Sequence, residues 1–208
     1  MRTARTLSRR APSFNRTVGR RKVLPPLILV TDPDRTPDPV ALAERLPRGA
    51  GVIFRGFGRQ GAGKIARRLA AVARRRGLVL LIGADALRVG GAGVHLPERM
   101  AHRAGALKRA RPGILVTAAA HSLPALVRAR RAGADAALLS TAFESRSSSA
   151  GRPLGPVRLA ALMRRAGLPV YALGGVTTNN AARLLGSGAA GLAMVEGLTK
   201  ALAQARWL

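Results

Sequence analysis

Gly174-Gly175 follows the apolar run Val170 to Leu173 and leads into the polar segment Val176-Thr177-Thr178-Asn179. Adjacent glycines after a strand let backbone N–H groups approach an anion with no side chain in the way, and a helix start beyond them adds its dipole. Phosphate binding is the chemistry this suits; a plain tight turn is the other use of such a pair. Thr177 or Thr178 stands where a helix cap belongs, and Gly186 and Gly188 stop that helix before a last apolar run, Leu192 to Val195. Further anion-binding side chains lie just past other apolar runs: Arg55, Arg59, Arg146, and the serines Ser145 and Ser147 to Ser149. Acid–base groups are sparse. Asp32, Asp85, Glu98, His121 and Glu196 follow strand-like runs, while His95 sits inside one, in Val94-His95-Leu96, and reads as a packed strand residue. Three histidines, no cysteine and scattered acids form no recognisable zinc pattern. Gly56-Phe-Gly58-Arg-Gln-Gly61 matches a dinucleotide fingerprint and Gly58 to Lys64 a phosphate loop, but Ile65 stands where the latter needs Ser or Thr, and 24 glycines make chance matches cheap.

The elements that must position these residues show in a repeat. Gly49-Ala-Gly-Val-Ile-Phe54, Gly91-Ala-Gly-Val-His-Leu96, Gly133-Ala-Asp-Ala-Ala-Leu138 and Gly188-Ala-Ala-Gly-Leu-Ala193 start 42, 42 and 55 residues apart. Each reads as a glycine stop feeding a buried parallel strand. Four more apolar runs fall between them: Leu27 to Val30, Leu78 to Ile82, Ile114 to Val116 and Val170 to Leu173. The spacers predict helices over 39–46, 64–76, 84–89, 98–110, 123–132, 156–166, 179–185 and 197–205. Strand and helix alternating eight times imply a single-domain α/β protein, a (β/α)8 TIM barrel. The longer last interval falls in the polar loop Ser140 to Pro153, after the sixth strand. Barrels keep their chemistry at the carboxyl ends of their strands, so that loop and the glycine pair belong to one mouth.

The chain has 208 residues, 48% of them hydrophobic, and a formal charge of +27. That content buries one core and points to one domain over 23–208. Residues 1–22 carry eight cations, no acid and no apolar period, and predict a disordered basic extension. The Arg- and Ser-rich leader also has the composition of a transit peptide, without a second sign of one. With no cysteine, disulfides are excluded, which suits a cytoplasmic protein. No apolar run approaches the ~20 residues of a membrane span. The charge predicts nonspecific nucleic-acid contact at low salt, yet aromatic residues are 3% and offer no stacking platform, so dedicated nucleic-acid binding is a minor alternative.

From about Leu27 to Leu198 the chain resembles the thiamine phosphate synthase and TenI-like family of (β/α)8 proteins. Val52-Ile-Phe-Arg55 is similar to the family's Val-Gln-Leu-Arg strand, Gly93-Val-His-Leu96 to its Gly-Val-His-Leu, and Ala120-His121 to its Ser-Ala/Thr-His. Phe143 to Gly155 resembles its Phe-Pro-Thr-x-Thr-Lys-x-Gly…Leu-Gly loop, and Ala172-Leu-Gly-Gly-Val-Thr177 its Ala-Ile-Gly-Gly-Ile-Thr. The resemblance implies a transferase of thiamine biosynthesis that joins an aminopyrimidine methyl diphosphate to a thiazole phosphate and releases pyrophosphate. Its substrates are phosphorylated small molecules, its cofactor is Mg2+, and self-association into a homo-oligomer is compatible with it. By motif, Arg55 would hold the diphosphate, with Arg59 near it. Ser145, Ser147, Gly174, Gly175 and backbone at Val195 and Glu196 would hold the thiazole phosphate, and Asp85 and Glu98 the metal. A TenI-like relative, either a thiazole-phosphate tautomerase with His121 as proton carrier or a noncatalytic binder, is the alternative. The chain departs from the family's pattern at Ile53 (Gln), Phe57 (Lys), Gly83-Ala84-Asp85 (Asn-Asp) and Ser148 (Lys), and Glu196 brings a negative charge to the phosphate corner.

Overall fold

The four glycines that open the repeat, Gly49, Gly91, Gly133 and Gly188, all take positive φ, from +75° to +87°, in the computed structural model. A Cβ at any of them would meet nothing within 4 Å, so what they supply is the left-handed backbone that turns the chain into a strand. The structure describes residues 24–84, 89–147 and 150–204. Within them eight parallel strands, β1 (Leu27–Val30), β2 (Gly51–Phe54), β3 (Val79–Gly83), β4 (Gly93–Leu96), β5 (Val116–Ala120), β6 (Ala136–Leu139), β7 (Val170–Ala172) and β8 (Gly191–Met194), close into a barrel in sequence order. Closure is direct: Leu27 to Leu29 of β1 pair with Leu192 to Met194 of β8.

The helices outside are α1 (Pro39–Glu44), α2 (Ala62–Arg76), α3 (Ala104–Ala110), α4 (Leu123–Arg131), α5 (Gly155–Ala166) and α6 (Glu196–Gln204), with 3-10 turns at Glu98–Arg103 and Ala181–Leu184. Local chemistry sets their ends. Asp38 caps α1 by accepting from Val40 N and Ala41 N at 3.1 and 2.9 Å, and Ser122 caps α4. Gly77 and Gly167, both left-handed, stop α2 and α5. Alternation along the strands separates two cores. Ile28, Val30, Ile53, Leu81, Leu138, Tyr171 and Ala193 fill the barrel, and Leu27, Leu29, Val52, Phe54, Leu80 and Leu139 pack under the helices with Leu69, Leu126 and Leu159. Tyr171 is fully buried and its hydroxyl donates to Pro25 O at 2.8 Å, so the one polar atom it carries inside is satisfied.

Three expectations need correction. The fifth strand runs over Val116–Ala120, not 114–116, because burial between β4 and β6 overrides the helix preference of Ala118-Ala119-Ala120. The helix predicted over 98–110 starts as a 3-10 turn and becomes α only at Ala104, and that predicted over 179–185 is a single 3-10 turn. The short helix at 84–89 and the basic extension 1–22 fall largely or wholly outside the described residues. Among the described residues no helix is long and apolar enough to cross a membrane.

Candidate active site

The segments leaving β6, β7 and β8 converge at the carboxyl end of the barrel. Gly174 and Gly175 have φ of +92° and +64°, and a Cβ on Gly175 would stand 2.1 Å from Glu144 O and 2.6 Å from Phe143 O. On Gly174 it would lie 2.9 Å from Thr141 Cγ2. Gly197, the second residue of α6, is equally confined, its added Cβ falling 2.4 Å from Val176 O. The pair therefore does more than turn the chain: it lets three backbones meet where side chains would hold them apart. Ala142 N donates to Leu173 O at 2.8 Å and Phe143 N to Gly174 O at 3.0 Å, fastening the β6 loop to the glycines.

Asn180, not Thr177 or Thr178, organises the turn beyond the glycines. Its Nδ2 donates to Gly175 O and its Oδ1 accepts from Thr177 N, both at 2.8 Å. A carboxamide can donate and accept at once, so it clamps both sides of the turn where a threonine hydroxyl has less reach.

The cleft at this junction has a volume of about 240 Å³. Its walls include Ser145, Ser147, Gly174, Gly175, Val195 and Glu196, as expected from the sequence, together with Arg55. Four cations, Arg35, Arg55, Arg146 and Lys200, line it against two carboxylates, Glu144 and Glu196. Ser145 Oγ accepts from Ser147 N at 3.3 Å and shapes the loop. In α6 Thr199 N bonds to Val195 O at 3.2 Å, so the amides of residues 196 to 198 precede that bond at the positive end of the helix dipole.

Arg55, just after β2, is held from several sides. Its backbone N donates to Thr31 Oγ1 at 3.0 Å, Nε to Thr31 O at 2.8 Å and Nη2 to Asp32 Oδ2 at 3.3 Å. Its guanidinium also lies 5.1 Å from the centroid of the Phe57 ring, an exposed aromatic at φ +49°. Asp32 shapes the β1 loop through Asp34 N and Arg35 N. The hydrogen bond from the Arg35 guanidinium, 2.8 Å away, pulls the Asp32 carboxyl down to about 2.

Other expected residues lie elsewhere. Arg59 pairs with Asp34 at 2.9 Å, both exposed, beside a separate hollow of about 230 Å³ that shares Arg55 with the main cleft. Glu98 and His121 lie on the β4–β5 side of the rim: His121 Nδ1 is 2.8 Å from Glu98 Oε2, and Arg128 Nη2 is 2.8 Å from Oε1. That trio lines an outward groove with His102 and Arg131 and does not line the glycine cleft. His95 points into the barrel, with Nδ1 2.9 Å from Thr117 Oγ1, and is a packed strand residue as expected. Burial, helped by the field of Arg55, drives its imidazole down to about 3.

Asp85 lies outside the described residues. Of the pair expected to hold magnesium, Glu98 has both carboxylate oxygens engaged by His121 and Arg128, and no group of three potential ligands forms among the described residues. Sequence reading missed three contributors: Arg35, Gly197 and Lys200. Lys200 was legible as the i+4 partner of Glu196 and Arg35 as the i+3 partner of Asp32.

The chain is similar to several known proteins. The family model described as thiamine monophosphate synthase matches residues 27–198. A thiamine-phosphate synthase of Chlorobium luteolum is 31% identical over 185 residues, covering 85% of this chain and 86% of that one. A putative thiamine-phosphate synthase 2 of Aquifex aeolicus is 35% identical over 133 residues, covering 62% of this chain and 71% of that one. In fold, a thiamine phosphate pyrophosphorylase from Pyrococcus furiosus superimposes with a TM-score of 0.69 at 22% identity, covering 86% of this chain and 96% of that one. The chain belongs to the thiamine monophosphate synthase family.

Proposed function

We propose that this protein joins an aminopyrimidine methyl diphosphate to a thiazole phosphate and releases pyrophosphate, a transferase step of thiamine biosynthesis. The observation that carries the reading is the glycine cleft, where Gly174, Gly175 and the first turn of α6 meet four cations in a chain of this family. The reaction breaks the methylene C–O bond, with the electron pair leaving on the diphosphate, and forms a C–N bond from the thiazole nitrogen lone pair. Its main demand is charge stabilisation at the departing oxygens, which fits a cleft rich in cations and poor in acid–base groups. Arg55, anchored on Thr31 and Asp32, is the group to meet that charge. Ser145, Ser147, the Gly175 turn and the backbone at Val195 and Glu196 receive the thiazole phosphate.

Magnesium belongs to this reading only through the family, with Asp85 and Glu98 as its carboxylates. The TenI-like alternative asks His121 to reach the ligand, and its position in a separate groove gives that less support. We also read the protein as cytoplasmic, able to self-associate, and given to nonspecific nucleic-acid contact at low salt through its charge of +27. Calorimetry with thiazole phosphate and with the pyrimidine diphosphate, each with and without Mg2+, tests the assignment. Binding of both, the second strengthened by metal, supports the synthase; binding of the thiazole phosphate alone would replace it with the TenI-like reading.

A further inference from the structure

Glu196 is the first residue of α6 and leaves β8 directly into the glycine cleft. Its Oε1 accepts from Arg146 Nη2 at 2.7 Å and from Lys200 Nζ at 2.9 Å, so one carboxylate oxygen gathers two cations, one of them fifty residues away on the β6 loop. The cations are the more exposed partners, with side chains 79% and 61% exposed, while the Glu196 side chain is 32% exposed. Its backbone is fixed, because Gly197 seats the start of α6 against Val176 and Thr177. A carboxylate is also favoured at this end of a helix by the dipole. The Lys200 hydrogen bond, with Arg146 and Arg35 nearby, lowers the Glu196 carboxyl below its ordinary value and keeps it charged at neutral pH.

The corner that suits a phosphate thus already holds an anion of the protein's own. We propose that Glu196 is an internal counter-anion that sets the charge of the ligand accepted here: an incoming anion must displace it from Arg146 and Lys200. A tethered carboxylate competes at high effective concentration. A monoanion that takes its place exchanges one unit of charge for another and gains little. A phosphate monoester dianion or a pyrophosphate brings more charge and more acceptor oxygens than the carboxylate it displaces, and it wins. Glu196 in this sense sets how much anionic charge a ligand must bring in order to bind, and the idea rests on reading this corner as the phosphate site.

The test is calorimetry at pH 8 with thiazole phosphate, a monoester dianion, and with a monoanion, dimethyl phosphate, on the wild type, Glu196→Gln, Arg146→Ala and the double variant. Glu196→Gln should tighten thiazole phosphate about tenfold and the monoanion by a similar factor, so that dimethyl phosphate, hardly bound by the wild type, comes into the measurable range. In the Arg146→Ala background the gain from Glu196→Gln should fall to about threefold or less, because Arg146 is one of the two cations for which Glu196 and the ligand compete. Thermal denaturation checks that each variant is folded. Unchanged or weakened thiazole phosphate binding in folded Glu196→Gln, with the wild type binding, overturns the counter-anion role alone. If neither protein binds thiazole phosphate, the phosphate-site reading falls and this proposal with it.

Discussion

Two carboxylates at the barrel rim, Glu196 after β8 and Glu98 after β4, are each spanned by two basic side chains at closely similar distances. Glu196 has Arg146 and Lys200; Glu98 has His121 and Arg128. Their surroundings differ. Beside Glu196 three glycines allow three backbones to close on a cleft lined with cations, whereas Glu98 faces an outward groove between the 3-10 turn 98–103 and α4. Ion pairing by itself therefore does not mark a ligand site. Backbone approach is what sets the Glu196 side apart, and closely set backbone amides suit a phosphate in a way that solvated side chains do not.

The comparison breaks most sharply at Gly175. A Gly175→Ala substitution puts a Cβ 2.1 Å from Glu144 O at a φ of +64°, and backbone atoms must move. We expect a loss of about 2–4 kcal/mol of stability, combining left-handed strain with the clash, and thiazole phosphate binding weakened at least about 100-fold as the β6 loop is pushed off. Gly58→Ala is the control: φ is +68° but no atom lies within 4 Å, so it should cost about 1 kcal/mol and leave binding intact. Urea denaturation and calorimetry on both variants decide the matter. Equal penalties would reduce Gly175 to an ordinary turn residue.

Arg55 is the next test, since among the described residues it alone lines both the main cleft and the neighbouring hollow. Arg55→Ala should lower the coupling rate about 100-fold or more, the size of effect seen when one group stabilising a developing charge is removed. Glu98→Gln should have a smaller effect on the same assay. A reversed order would move the chemistry to the β4–β5 side of the rim.

The barrel was legible in the sequence because glycine stops and apolar runs obey short-range rules. Gly49, Gly91, Gly133 and Gly188 turned out to share one backbone conformation as well as one motif. The fifth strand slipped because Thr117-Ala-Ala-Ala120 carries almost no strand preference, and only its place between β4 and β6 makes it one. At the site, residues tied to a strand end, such as Arg55, Gly174 and Gly175, could be read directly. Arg59 could not, because its pairing with Asp34 depends on how two loops lean together. Arg146 and Glu196, fifty residues apart, meet only once the barrel has closed.

The two sides of the rim are not electrically separate inside the barrel, and His95 reports it. This β4 residue is buried, and desolvation assisted by Arg55 holds its imidazole at about 3, against 6.5 for the ordinary side chain. The folded state thus binds the proton less tightly than the unfolded chain. Stability from this group is complete above pH 6.5 and is lost as pH falls toward 3, by about 1 kcal/mol per pH unit. Denaturation midpoints of the wild type and His95→Gln between pH 7 and 4 should diverge in slope, the variant being the flatter. Parallel curves would mean that His95 is not held neutral by the fold.

The smallest effect is expected where the comparison predicts separation. His121 is half exposed, leans on Glu98, and lines the outward groove with Arg128 and not the glycine cleft. His121→Ala should leave thiazole phosphate affinity within about twofold, since removing a solvated surface partner changes little at a site it does not touch. Calorimetry at low and high salt separates contact from long-range field: a small change that vanishes at high salt is field alone. A tenfold loss that persists at high salt would mean that the bound ligand spans the rim from β8 to β5. Glu98 and Glu196 would then belong to one site, and the proton-carrier role of His121 in a TenI-like reaction would become the better account.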